Sequence, residues 1–133
     1  MTHECGESVI TVNYNPDCGC VAGAFEGLLN SETVKEYIQE ITKVAIKHNC
    51  KRMISDLRRA SIDASITDLY FVPKLVVNDK FNLSWKRAIV LKIEDLDKMS
   101  FYELASRNRG ISLKVFTEMD AAMEWLHSDQ SSA

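Results

Sequence analysis

The stretch from Val34 to His48 limits the possible folds of this chain more than any other. Val34, Ile38, Ile41, Ala45 and His48 recur at helical spacing, with Lys35, Glu36, Gln39, Glu40, Lys43 and Lys47 between them. That pattern predicts an amphipathic helix with Asn30 or Ser31 as its N-cap. Strand-like segments lie close on both sides, Cys20–Phe25 before the helix and Lys51–Leu57 after it. A strand, a helix and a strand in that order join through a crossover and pair in parallel. The chain is therefore expected in the α/β class.

The remaining segments extend this plan. Ser8–Tyr14 alternates, with Ile10, Val12 and Tyr14 on one face, which is the period of a half-buried strand. Asn15, Pro16 and Asp17 supply turn chemistry, so this strand and Cys20–Phe25 should form a hairpin. Gly19, Gly23 and Gly27 point to close backbone approach or a bulge rather than to a phosphate cradle. Trp85–Leu91 is nearly all apolar after its first residues, as a central strand covered on both faces must be. Asp97–Asn108 reads as a helix closed by Arg109 and Gly110, and Ile111–Phe116 as the last strand. A final helix should begin at the capping-box-like Thr117–Asp120, with Ala121, Ala122, Trp125 and Leu126 as its apolar stripe. Ser65–Asp68 has similar spacing, but Pro73 interrupts the apolar stretch beyond it, so a kinked or broken helix is predicted across Thr67–Lys80. Together these give a mixed, mostly parallel five-stranded sheet flanked by about four helices. One domain is expected over residues 1–127, with the polar segment 128–133 as a disordered tail.

With 133 residues, 46% of them hydrophobic, the chain can bury one core unaided. A balance of 16 Lys+Arg against 19 Asp+Glu gives a net charge of −3, which leaves no footprint for nucleic acid or an anionic membrane. No apolar run approaches the roughly 20 residues of a membrane helix, and Met1–Glu7 lacks the regions of a signal peptide. A cytoplasmic location is expected, where Cys5, Cys18, Cys20 and Cys50 should remain reduced thiols. Cys18-Gly19-Cys20, even with Cys5, Cys50, His3 and His48, does not match the C-x₂₋₄-C spacing of structural zinc, so no metal is expected. His48 is read as a packed or capping residue on the buried stripe. Dinucleotide, P-loop and nucleophile-elbow motifs are absent, and no acidic cluster accompanies Asp56 to make a phosphoaspartate site. No cofactor and no enzymatic activity are expected.

In open α/β sheets, ligands gather beyond the carboxyl ends of the strands. Glu26, Asn30, Asp56, Arg58, Arg59, Ser61, Ser65, Thr67, Lys92, Glu94, Asp95 and Thr117 fall there. Within that set, Asp56, Arg58, Arg59 and Ser61 form the candidate site for an anion or for a partner protein's carboxylate. Ser65 and Thr67 read first as helix caps. Tyr70, Phe71, Val76 and Val77 leave more apolar surface than one helix face buries, which makes a homodimer a candidate assembly.

Three segments together resemble a known family. Met53-Ile-Ser-Asp-Leu-Arg58, Arg87-Ala-Ile-Val-Leu91, and Phe101–Gly110 leading into Leu113–Leu126 resemble the SpoIIAA-like (STAS-like) family of small bacterial proteins, over roughly Val9 to Leu126. The last segment is the most specific: a strand ending Val115-Phe116-Thr117, an acidic turn, Ala121-Ala122, and Trp125-Leu126 on the closing helix. The resemblance implies the fold shared by STAS domains and lipid-binding CRAL-TRIO domains. Anti-sigma-factor antagonists of this kind carry a phosphorylatable serine at the start of the helix after the third strand, which implies Ser65 or Thr67 as candidate phospho-acceptor. Here Asp63-Ala-Ser-Ile-Thr-Asp68 stands in place of their Asp-Ser-Ser-Gly core. The implied function is a non-enzymatic regulatory module that binds an unknown protein partner through the loop and helix after Asp56. The alternative is a carrier of a small apolar ligand such as a lipid, held in a CRAL-TRIO-like pocket with Phe71, Val76 and Phe101 in its lining.

Overall fold

The computed structural model describes residues 2–5, 8–62, 85–108 and 112–128. Three antiparallel strands open the chain: β1 (Thr2–Cys5), β2 (Ser8–Asn15) and β3 (Cys20–Leu29). Helix α1 (Ser31–Lys47) then crosses over to β4 (Arg52–Asp56), and β5 (Ala60–Ile62) comes next. After β6 (Lys86–Val90) come a 3₁₀ turn at Ile93–Asp95, helix α2 (Leu96–Arg107), β7 (Ser112–Phe116) and helix α3 (Met119–Leu126). The strands lie in the order β1-β2-β3-β4-β6-β7, and β5 pairs with the end of β3. From β3 to β7 every pairing is parallel, so the sheet is mixed and mostly parallel.

Side-chain alternation along these strands sorts the core into two layers. On one face Ile10, Val12, Val21, Phe25, Met53, Leu57, Ile89 and Leu113 pack with Val34, Tyr37, Ile41 and Ala45 of α1 and Met99 of α2. On the other, Cys20, Ile54, Ala88 and Val90 pack with Ala122 and Leu126 of α3. Helix α1 starts where it does because Asn30 Oδ1 accepts from the N–H groups of Glu32 and Thr33, while Thr33 Oγ1 accepts from the Asn30 N–H. At the end of α3, the Lys86 ammonium donates to the carbonyls of Trp125 and Ser128, groups a helix leaves unsatisfied.

All five expected strands are present, and two more join them. β1 has no alternation to announce it, and β5 is only a three-residue parallel graft onto Gly27–Leu29. β3 also runs on to Leu29, beyond the expected Phe25. Three α-helices occur among the described residues, and the expected kinked helix at 67–80 lies outside them.

Several expectations need correction. His48 is the C-cap of α1 and its ring stacks on Tyr14 with centroids 4.2 Å apart, as a packed or capping residue should, but it is exposed rather than part of the buried stripe. Glu118, not Thr117, occupies the N-cap of α3 and makes no side-chain cap bond. Ala121 faces outward, and Trp125 is half-buried rather than a core residue, packed on Phe116 and beneath the Lys86 ammonium. The expectation of four thiols fails at one pair, since Cys18 and Cys20 form a disulfide while Cys50 is a free, buried thiol. Their Cα atoms lie 5.5 Å apart across one glycine, close enough for the sulfurs to meet. Ser128 is anchored by Lys86, and the rest of the expected tail, 129–133, lies outside the described residues.

Candidate functional site

The parallel register sets Asp56 at the carboxyl end of β4, in a cross-strand row with Thr11, Ala24, Val90 and Phe116. Past Asp56 the chain turns. The Arg58 N–H donates to Asp56 Oδ1 at 3.1 Å, the local bond by which an aspartate closes a turn on itself. The turn brings the guanidinium back over the carboxylate, Nε to Oδ1 at 2.9 Å and Nη2 to Oδ2 at 2.8 Å, a fork-on-fork pair. Hydrogen bonding from Arg58 is the largest influence on Asp56 and holds its carboxyl below the usual range, partly opposed by burial; the field of Arg59 adds to the lowering. Asp56 in turn raises the Arg58 guanidinium.

These residues border an open cleft of about 600 Å³, lined by Val9 and Thr11 of β2, Ala24, Phe25 and Glu26 of β3, and Asp56, Arg58 and Arg59. The rim carries both signs of charge. Asp56 and Arg58 satisfy each other. Glu26 and Arg59 are exposed and make no ion pair among the described residues, so they are the rim charges available to a partner.

The structure therefore brings Asp56, Arg58 and Arg59 together and adds Glu26, which the sequence placed at the same edge. Ser61 is exposed on β5, opposite Leu28, and is not among the residues lining the cleft. Lys92 and Asp95 form a separate pair at 3.9 Å at the start of α2. Ser65, Thr67, Phe71 and Val76 lie outside the described residues, as do Tyr70, Pro73 and Val77. Thr11 escapes sequence reasoning because it sits mid-strand, and only the antiparallel register carries it to the cleft.

Phe101, expected in an apolar pocket with Phe71 and Val76, is 45% exposed on α2, and the other two residues of that expected pocket lie outside the described residues. Among the described residues an apolar cavity lies between α1 and the sheet. It encloses about 60 Å³ among Val34, Tyr37, Ile38, Ile41, Leu57 and Ile89, with the buried Arg87 side chain also in its wall. Arg87 donates to the Trp85 carbonyl at 3.4 Å, and its guanidinium lies 5.5 Å from the Trp85 ring centre. No helix among the described residues is long and apolar enough to cross a membrane.

No family model and no curated protein matches the chain. Among solved structures it is similar to an uncharacterized protein from the DUF3478 family with a SpoIIAA-like fold, from Shewanella loihica PV-4, whose crystal structure was determined at 2.25 Å. The two share 17% sequence identity and a TM-score of 0.58, over 95% of this chain and 98% of the other. Likeness at that identity concerns architecture, and the architecture agrees with the resemblance carried by Met53–Arg58, Arg87–Leu91 and Phe101–Leu126: the chain has a SpoIIAA-like fold.

Proposed function

We propose that this chain is a non-enzymatic regulatory module that docks a partner protein on the cleft between the middle of β3 and the turn after β4. The observation that carries the reading is the rim: a self-neutralised Asp56–Arg58 pair flanked by two exposed charges of opposite sign, Glu26 and Arg59. A lone anion would meet two carboxylates there as well as the guanidinium groups. A protein surface with the opposite arrangement of charges can satisfy Glu26 and Arg59 together, and such complementarity sets specificity and association rate. Among the described residues the cavity beneath α1, at about 60 Å³, is far below the roughly 300–1,000 Å³ of small-molecule sites, while the carrier pocket expected with Phe71 and Val76 lies outside them.

Affinity capture from the native host tests this. The tagged parent should retain a stoichiometric partner that Glu26→Lys/Arg59→Glu loses, with unchanged far-UV dichroism and melting. Equal retention by parent and double variant overturns the proposal.

A further inference from the structure

The loop joining β2 to β3 gathers chemistry that docking at the rim does not use. Gly19 has a φ of +64° with open space where a β-carbon would stand, so the loop passes through a left-handed position that favours glycine. The Gly19 N–H donates to the Asn15 carbonyl and the Asp17 N–H to Asn15 Oδ1, both at 2.9 Å. This frame holds the Cα atoms of Cys18 and Cys20 5.5 Å apart, inside the range that disulfides span. Cys20 is fully buried and Cys18 only half-buried. Both border a groove of about 340 Å³ that reaches Asp56 at one end and has Asn13, Ala22, Met119 and Met123 among its walls. A third sulfur stands close by, since the Cys50 thiol donates to the Gly19 carbonyl at 3.4 Å.

A disulfide that closes so short a loop restrains the unfolded chain very little, because the loop-closure effect shrinks with loop length. The hairpin it would staple is already held by the ladder from Val9↔Glu26 to Asn15↔Cys20. Disulfides in a reducing compartment, where the sequence leads one to expect this chain, are mostly transient and redox-sensing. We propose that Cys18–Cys20 is a reversible thiol–disulfide exchange site that takes a low-molecular-weight thiol from the groove beside α3.

The incoming thiolate forms an S–S bond to Cys18 Sγ, the more accessible sulfur. The Cys18–Cys20 bond breaks, and Cys20 leaves as a thiolate that takes up a proton. A second thiolate then attacks the outer sulfur of the mixed disulfide, so that the small disulfide departs and the Cys18 thiolate is protonated. Two electrons pass from two small thiols to the protein, and the two protons those thiols release end on Cys18 and Cys20. The reverse sequence re-forms the protein disulfide. The ring of His127, set between the Cys18 and Met123 carbonyls, ties the loop to α3, so the state of the sulfurs is felt at that helix.

Glutathione is the probe. The full chain is equilibrated anaerobically at a series of glutathione to glutathione disulfide ratios, quenched in acid, alkylated, and read cysteine by cysteine by peptide fragmentation. Cys18 and Cys20 should convert together and reversibly within that range. Cys20→Ser should accumulate a glutathione adduct at Cys18, about tenfold more than Cys18→Ser accumulates at Cys20, as exposure dictates. Cys20 is buried and its variant could unfold, so the folded, reduced parent supplies a second measurement: iodoacetamide should label Cys18 about tenfold faster than Cys20 or Cys50. A pair that stays reduced throughout, a pair that stays oxidised throughout, or equal labelling of the three sulfurs overturns the proposal.

Discussion

The hydroxyls of Tyr37 and Ser55 meet at 2.6 Å across the bare backbone of Gly23, where a β-carbon would overlap the Tyr37 oxygen and lie 3.0 Å from Ile41 Cδ1. This contact seats α1 on β3 and β4. Gly23→Ala should destabilise by about 1–3 kcal/mol through overpacking, and Tyr37→Phe by about 1 kcal/mol through the lost hydrogen bond. Because the hydroxyl is what the new methyl meets, the double variant should cost less than the sum, which urea denaturation of all four chains measures.

Helix α3 should depend on its buried leucine more than on its tryptophan. Leu126 is fully buried, and Leu126→Ala should cost about 2–5 kcal/mol, whereas Trp125→Ala removes the ring packed on Phe116 and Lys86 and should cost about 1–2 kcal/mol. Thermal melts decide it, and a larger loss for Trp125→Ala contradicts this packing.

At the start of α1, Asn30→Ala removes both cap bonds made by the side chain and should cost about 1 kcal/mol, while Asn30→Ser should recover most of it. Equal melting of parent and Asn30→Ala contradicts the cap.

The folded protein holds the Asp56 carboxyl below its unfolded value, chiefly through Arg58. A depressed acid stabilises the fold above its unfolded pKa and loses that contribution as pH falls through the folded pKa. The Asp56 contribution should therefore be complete at neutral pH and fade below about pH 4. The pair is largely exposed, so solvent screening limits it to at most about 1 kcal/mol. Asp56→Asn should lower stability slightly at pH 7 and converge with the parent near pH 2, as acid-dependent urea melts would show.

Much of the architecture is legible in the sequence because period carries it. The alternation of Ser8–Tyr14, the apolar run of Trp85–Leu91 and the stripe from Val34 to Ala45 each report a burial pattern, and each forms the expected element. β1 and β5 stay hidden because their pairing partners, not their own residues, make them strands. His48 continues the helical spacing yet is exposed at the C-cap of α1, stacked on Tyr14, and periodicity alone cannot say where a helix's buried stripe ends. Asp56, Arg58 and Arg59 are visible as a cluster at a strand end. Their pairing is not, because it depends on a turn that returns Arg58 over Asp56, and Thr11 reaches the cleft only through the register of β2 on β3. Cys18-Gly19-Cys20 has the wrong spacing for zinc, yet that spacing suits a disulfide once Gly19 adopts a left-handed conformation.

The central claim is that a partner protein docks at the rim of the cleft beside Asp56. A photo-activatable cross-linking residue at position 59, compared with one at Lys43 on the exposed face of α1, tests it inside the native host. Docking at the rim predicts a discrete protein adduct from position 59, abolished by Glu26→Lys, and none from position 43. An adduct from position 43 alone, or one from position 59 that is indifferent to Glu26→Lys, contradicts it.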